Sequence, residues 1–542
     1  MLNTDQQPKV QNHSQGIIPG IPPGITLDIS QLQVLRQVWQ LALPVMLTNL
    51  LQTLVNVVDV YMVGRLGPIS IAAVGMGSIV RMLVLVMILS VTTGAMSLVA
   101  QAKGARDPER MSFVTRQAIS SGILLSLVLT GLGIISARPL MMLANSGGAA
   151  QAVELGTAYL QVFFIGTPFL VLNMVLNRLM QGAGDTVTPL RLTGSINILN
   201  IFLNYIFMFG IGPIPAYGVV GAAIGTILSR AIGAAIGFAI IYSGRNVIKI
   251  LAGSYRPHWQ MFVDILSIGV PSGIQGLFRN GSRLLVISIV TSTEIATYGA
   301  AALAIGFQVE ALAFMPVLGI NVAATSLVGQ SLGNWQPEAA RQRGNTAILL
   351  GIGVITLLAA PIVIFAPAII RLFDPSSHPT LLQAGTAYLR INTVALPLTA
   401  VAMVANGAMR GAGDSTPGMF STILTKAALT IALAYLFAIV LDFGSVGVWW
   451  ALVVGTVADS IYMGTRWLSR RWLRVALHKT DLYRQHLRHL AEDVQQQYLR
   501  EIRTPYMALP TAREQVEAEQ VIYILPDEEV RVQFDRMSYQ IV

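Results

Sequence analysis

Apolar runs of about 20 residues, each closed by Gly, Pro or charge, recur through the middle of the chain; that is the length a helix needs to cross a bilayer. They predict twelve membrane-spanning helices, near residues 41–63, 70–99, 117–137, 156–180, 192–210, 218–243, 264–291, 297–328, 346–368, 386–409, 419–440 and 446–468, taken as spans 1 to 12. Several exceed the minimum, so tilt or interfacial ends are expected. The stretch Ile29–Gln40 is amphipathic at helical spacing and is expected to lie along the membrane surface before span 1. The fold class is an all-α polytopic membrane protein.

Composition excludes the soluble alternative. Of 542 residues, 54% are hydrophobic and 11% charged, against about 25% charged in an ordinary soluble domain. Residues 469–542 hold 22 of the 61 charged side chains, whereas 41–468 contain only 13 acids. The expected organisation is a cytoplasmic segment 1–40 ending in the interfacial helix, an N-lobe 41–243 with spans 1–6 and a cytoplasmic linker 244–263. A C-lobe 264–468 with spans 7–12 and a cytoplasmic tail 469–542 follow, the tail opening on the basic amphipathic stretch RRWLRVALHK (470–479). Residues 1–30 are polar and rich in Pro and Gly, and read as a cytoplasmic lead, not a cleavable signal.

The formal charge of +9 does not point to nucleic acid, because the bases are scattered between apolar runs like topology determinants. Zero cysteines exclude disulfides, Cys-ligated zinc and thiol chemistry. No span contains a His, and neither a hydrolase constellation nor a P-loop is present, so the chain is read as no enzyme and as needing no cofactor. Lys103, Arg106, Arg110, Arg116, Arg178, Arg191, Arg245, Lys249, Arg256, Arg341, Arg343 and Arg410 fall on one side of the predicted spans, and Arg65, Arg138 and Arg371 on the other. That asymmetry predicts cytoplasmic N- and C-termini in a cell (inner) membrane.

The chain repeats itself. GTAYL occurs at 156–160 and 385–389; SLVAQAKG at 97–104 answers SLVGQSLG at 326–333; GAGD recurs at 182–185 and 411–414. All three pairs, with Pro168 and Pro397, are offset by 229 residues, while Pro44 and Pro271 are offset by 227. A duplicated unit of six spans, an even number, gives two parallel six-helix repeats, the expected build of an alternating-access transporter.

VDVYMVGRLG (58–67), the SLVAQAKG and SLVGQSLG pair, MQGAGDTVTP (180–189) with MRGAGDSTP (409–417), and NIFLNYIFMFG (200–210) together resemble the multidrug and toxic compound extrusion (MATE) family over about residues 35–470. The resemblance implies a secondary antiporter, acting as a monomer in the lipid bilayer, that expels small organic and often cationic compounds in exchange for inward H⁺ or Na⁺. The alternative is a lipid-linked precursor flippase of the same broader superfamily, whose groove would need many cationic residues.

A carboxylate inside hydrocarbon is a functional candidate by default. Asp59 in span 1 stands where the MATE motif has its ion-coupling aspartate; the alternative is a structural partner for Arg81. Asn200 and Asn204, four apart on one face of span 5, suit Na⁺ ligation beside Asp59, substrate contact, or helix–helix hydrogen bonding. Part of the family has Asn then Asp there, so two Asn residues leave the Na⁺ site short of a charge. In the second half, Glu310 stands at the repeat position of Arg81, and Arg279 and Arg283 share a face of span 7. Equal depth predicts an Arg279–Glu310 ion pair serving structure, gating or substrate. Some family members place acids where this chain has Arg279 and near Thr399, so coupling is expected in the first half. Asp185 and Asp414 read as helix caps. Lys426, Arg230 and Asp459 are intramembrane charges to which the pattern assigns no role.

Overall fold

The computed structural model describes residues 29–144, 150–244, 246–374, 378–473 and 475. The expected cytoplasmic lead before Ile29, Arg245 and nearly all of the tail lie outside them. Among the described residues, ten unbroken helices are long and apolar enough to cross a membrane, and two bent pairs, each taken as one span, raise the number to twelve. The chain is a multi-pass, all-α membrane protein, with spans where the apolar runs put them.

Span 1 is Ile29–Gly64, span 2 Pro68–Gly104 and span 3 Pro108–Ala144. Span 4 is the pair Ala150–Ile165 and Thr167–Gly182; spans 5 and 6 are Val187–Phe209 and Gly218–Tyr242. Spans 7, 8 and 9 are Trp259–Thr291, Ala296–Gly333 and Pro337–Ile364, the last followed by the short helix Ala366–Phe373. Span 10 is the pair Pro379–Thr393 and Leu396–Gly411; spans 11 and 12 are Thr416–Val440 and Gly444–Leu468. Spans 4 and 10 both bend by 51°. Pro168 and Pro397 sit at the start of the second segment of each, where a ring without an N–H interrupts the ladder.

The separate surface helix expected at Ile29–Gln40 is not present. That stretch runs unbroken into span 1, and part of its apolar face is buried in protein: Val38, with Ala42 just beyond the stretch, is fully buried in a core with Val317 and Ile320 of span 8, while Leu32 and Trp39 stay exposed. The amphipathic pattern recorded a helix–helix contact. Farther along, Met62 and Val63 of the same helix pack with Met208 and Ala222 of the first half. Span 7 does the reverse. Ile265 and Ile268 belong to the first half's core with Ile88 and Leu176, while Val286 and Val290 belong to the second half's core with Tyr388 and Trp449. Spans 1 and 7 therefore cross between the halves, so the halves are interleaved at the end that carries most of the Lys and Arg (the basic end).

At that end the repeated motifs form a reciprocal latch. Ser97 and Gln101 of span 2 donate to the Gly411 carbonyl of span 10 at 3.3 and 3.0 Å, and Ser97 also reaches the Arg410 carbonyl at 2.6 Å. Ser326 and Gln330 of span 8 donate to the Gly182 carbonyl of span 4 at 3.0 and 3.1 Å. The closing glycines permit the approach: a Cβ on Gly104 would stand 1.9 Å from the Gln330 carbonyl oxygen, and one on Gly333 2.0 Å from that of Gln101. Ser, Gln and Gly at this spacing are the two halves' handshake.

One element breaks the symmetry. Span 11 contains two π-helical segments, Thr422–Leu429 and Leu436–Val440, absent from span 5. The Thr-Pro pairs in the first turns of these helices (Pro189, Pro417) are offset by 228 residues. The carbonyls that close the next turns, Phe207 accepting from Tyr217 and Phe437 from Phe443, are offset by 230. Span 11 thus carries two additional residues, and a π segment is how a helix absorbs one without ending.

Candidate functional site

Between the halves, above the latch, lies a chamber of about 840 Å³. Its wall includes Asp59, Asn200, Arg81, Arg279, Arg283 and Glu310, so nearly all of the residues singled out in the sequence face one space.

In the first half, Asp59 Oδ1 accepts a 2.9 Å hydrogen bond from Asn204 Nδ2. Asn204 Oδ1 in turn accepts from Asn200 Nδ2 at 3.2 Å, and Asn200 Nδ2 also lies 3.2 Å from Thr226 Oγ1 and 3.3 Å from Ser229 Oγ. Asn200 and Asn204 are buried, whereas Asp59 is only half-buried at the wall. Span 6 approaches closely because of Gly225, where a Cβ would stand 2.4 Å from Asn204 Oδ1. Asp59 is not ion-paired to Arg81. Arg81 instead donates to the Tyr159 hydroxyl at 3.2 Å, and Arg230 Nη2 donates to Gln52 Oε1 at 3.4 Å. Both guanidinium groups remain within electrostatic reach of the carboxyl.

In the second half, the expected Arg279–Glu310 ion pair is absent. Glu310 Oε1 accepts a 2.6 Å hydrogen bond from the Tyr388 hydroxyl, and Arg283 lies over the Phe307 ring, 4.9 Å from its centroid. A buried hydroxyl held by packing meets the carboxylate without the cost of desolvating a second charge. Asp459 is likewise met by the Ser421 hydroxyl, and Lys426 Nζ donates to Thr456 Oγ1 at 2.7 Å. Arg410 Nη2 donates to Gln275 Oε1 at 2.7 Å, while its Nε has no partner.

The charges do not balance. Arg81, Arg178, Arg230, Arg279, Arg283, Arg410 and Lys426 line the chamber against Asp59, Glu310 and Asp459. None of the seven bases is ion-paired to a described carboxylate; the ion pairs of Glu338, with Arg341 and Arg470, lie at the basic end. Among the described residues no group of three or more His, Cys, Asp or Glu side chains could hold a metal. The Na⁺ considered at Asp59, Asn200 and Asn204 meets an amide N–H, not an oxygen, at the carboxylate, so ligation there requires Asn204 to turn over.

Two features escaped the sequence reading. Tyr159 and Tyr388, the same residue of the two GTAYL copies, each meet the charged side chain at the matching position two spans earlier, Arg81 or Glu310. Thr226 and Ser229 complete the Asn200 network from span 6, where the sequence singled out only Arg230. Asp185 caps span 5 through the Thr188 N–H at 3.0 Å and ties Asn246 of the linker at 2.9 Å, a structural role as expected.

Twelve spans in two matching halves around a polar chamber are the build of a membrane transporter. The MatE family model matches residues 44–206 and 271–436, one match in each half. The probable multidrug resistance protein NorM of Thermotoga maritima is 30% identical over 455 residues, covering 82% of this chain and 94% of that protein. The uncharacterized transporter YisQ of Bacillus subtilis is 26% identical over 421 residues, 77% of this chain and 90% of its own. Among solved structures, an outward-facing multidrug resistance MATE transporter of the MOP superfamily superposes with a TM-score of 0.74 at 28% identity, covering 83% of this chain and 99% of that one. A MOP superfamily transporter from Pyrococcus furiosus, whose binding pocket has reversed polarity suggesting a different function, gives 0.74 at 27% identity, covering 81% and 97%. The chain belongs to the MATE family.

Proposed function

We propose that the protein is an antiporter of the cell membrane, with both termini cytoplasmic, that exports small organic compounds in exchange for inward-moving protons. The observation that carries this reading is Asp59: a half-buried carboxyl on the chamber wall, hydrogen-bonded to an amide and in no ion pair among the described residues. A group so placed changes charge in response to the solution, whereas a carboxylate locked to a guanidinium would not. The proton is favoured over Na⁺ because Asn204 presents an N–H, not an oxygen, to the carboxylate. The latch closes the basic end, so the chamber corresponds to the outward-facing member of the cycle, and export requires its hydrogen bonds to break and re-form.

The test is efflux of fluorescent dyes from proteoliposomes under separately imposed pH and Na⁺ gradients. A pH gradient is expected to drive export and a Na⁺ gradient to leave it unchanged. Unimpaired pH-driven export by Asp59→Asn would remove the coupling role; drive by Na⁺ alone would reverse the choice of ion.

A further inference from the structure

Resting on that antiport reading, we propose that the second half's wall of the chamber is an oxyanion-binding subsite, and that the exported compounds are amphipathic organic anions in place of the cations expected from the family resemblance. The wall is built for it. Arg279 and Arg283 stand one turn apart on one face of span 7, which packs against the π segment carrying Lys426. Arg283 is steadied by the Phe307 ring and Lys426 by the Thr456 hydroxyl, contacts that leave several donors of each unused. The side chain of Arg279 is exposed to the chamber and has no described acceptor. Glu310 and Asp459 stand within electrostatic reach of these bases and offset part of their charge, but neither forms a described ion pair with them, each carboxyl accepting instead from a hydroxyl, that of Tyr388 or Ser421.

Three basic side chains on two adjoining elements of one wall, one of them over an aromatic ring, suit a carboxylate, sulfonate or phosphate on an apolar body. A free organic cation would meet Arg279 and Arg283 on one side and Arg81 and Arg230 on the other, seven bases against three acids in all. The volume of about 840 Å³ matches a drug-sized compound. The source is therefore a soluble anion, because a polyprenyl chain would have to lie outside the chamber. An anion also moves outward with an inside-negative potential, in the same electrical sense as an inward proton. Its charge, however, favours rather than opposes a protonated Asp59, so mutual exclusion of proton and substrate must come from the two conformations, not from competition for one charge.

The full-length protein in proteoliposomes, given fluorescein and a cationic rhodamine ester on the same xanthene frame, tests this. Fluorescein is expected to be exported under a pH gradient and the rhodamine poorly. Arg279→Gln, Arg283→Gln and Lys426→Gln are each expected to lower fluorescein export by about tenfold at subsaturating dye, and to raise or spare that of the rhodamine. Arg283→Lys, which keeps the charge, is expected to retain most fluorescein export, separating charge from misfolding. Export of the rhodamine alone, abolished by Asp59→Asn, would overturn the anion subsite while leaving the antiporter standing. Failure of both dyes to move under every gradient would overturn both. Displacement of fluorescein by equimolar undecaprenyl phosphate would overturn the soluble-substrate assignment.

Discussion

Where the first half carries Arg81, the second carries Glu310, and the same tyrosine of GTAYL lies against each, accepting from the guanidinium in one and donating to the carboxylate in the other. Glycines at the matching positions, Gly77 and Gly306, let the ring of that tyrosine approach in both. Along spans 1 and 7, at the 227-residue offset set by Pro44 and Pro271, Asp59 answers to Val286, Gln52 to Arg279 and Asn56 to Arg283. The backbone contacts are duplicated while the charges are not. The duplication conserves what holds the halves together, the latch and the bend, and the walls are free to diverge into a titrating side and an anchoring side.

The largest expected effect breaks the asymmetry directly. Moving the acid across the repeat, as Asp59→Val with Val286→Asp, is expected to abolish pH-driven export as completely as Asp59→Asn. Val286 is 2% exposed and packs in the second half's core, so a carboxylate there has no amide network to receive it. Restored pH-driven flux in the double variant would show that either half can couple.

Next in size is the steric test of the latch. Gly333→Ala places a Cβ against the Gln101 carbonyl and Gly104→Ala one against that of Gln330, and each is expected to cost the closed basic end about 1–3 kcal/mol. Distance distributions between spin labels on the two halves at the basic end should broaden equally in both variants. A shift in only one would show that the handshake is not reciprocal.

The tyrosines separate the halves again. Tyr388→Phe strips a half-buried carboxylate of its 2.6 Å donor and is expected to lower stability by about 1.5–3 kcal/mol; Tyr159→Phe removes a 3.2 Å acceptor from a half-buried guanidinium and should cost about 0.5–1.5 kcal/mol. Thermal unfolding of purified protein in detergent measures both, and equal losses would argue against distinct electrostatic settings. Smallest are Gln101→Ala and Gln330→Ala, each removing latch hydrogen bonds worth about 1 kcal/mol. The same spin-label distances should show matching, modest gains in the open population.

The spans, the duplication and the residues facing the chamber were legible in the sequence, because each follows from length in apolar residues, from spacing or from a motif. The Asp59–Asn204 contact was legible for the same reason: Asn200 and Asn204 share a helix face, and the family motif places the acid beside them. What was not legible depends on side-chain direction and on packing between distant spans. Equal depth made Arg279 and Glu310 look like partners, yet depth does not fix azimuth, and Tyr388 claims the carboxylate. The amphipathic stretch Ile29–Gln40 could not reveal whether its apolar face met lipid or span 8. The crossing of spans 1 and 7 and the π segments of span 11 leave almost no local signal, because both are consequences of tertiary contact.

The most direct test of the central claim is the proton released when a transported dye binds purified protein in weakly buffered detergent solution. Linkage requires that a substrate favouring the deprotonated conformation expel the proton that Asp59 holds. Wild-type protein is expected to acidify the solution in proportion to dye bound, and Asp59→Asn to bind dye with no proton change. Undiminished release from Asp59→Asn would contradict the account.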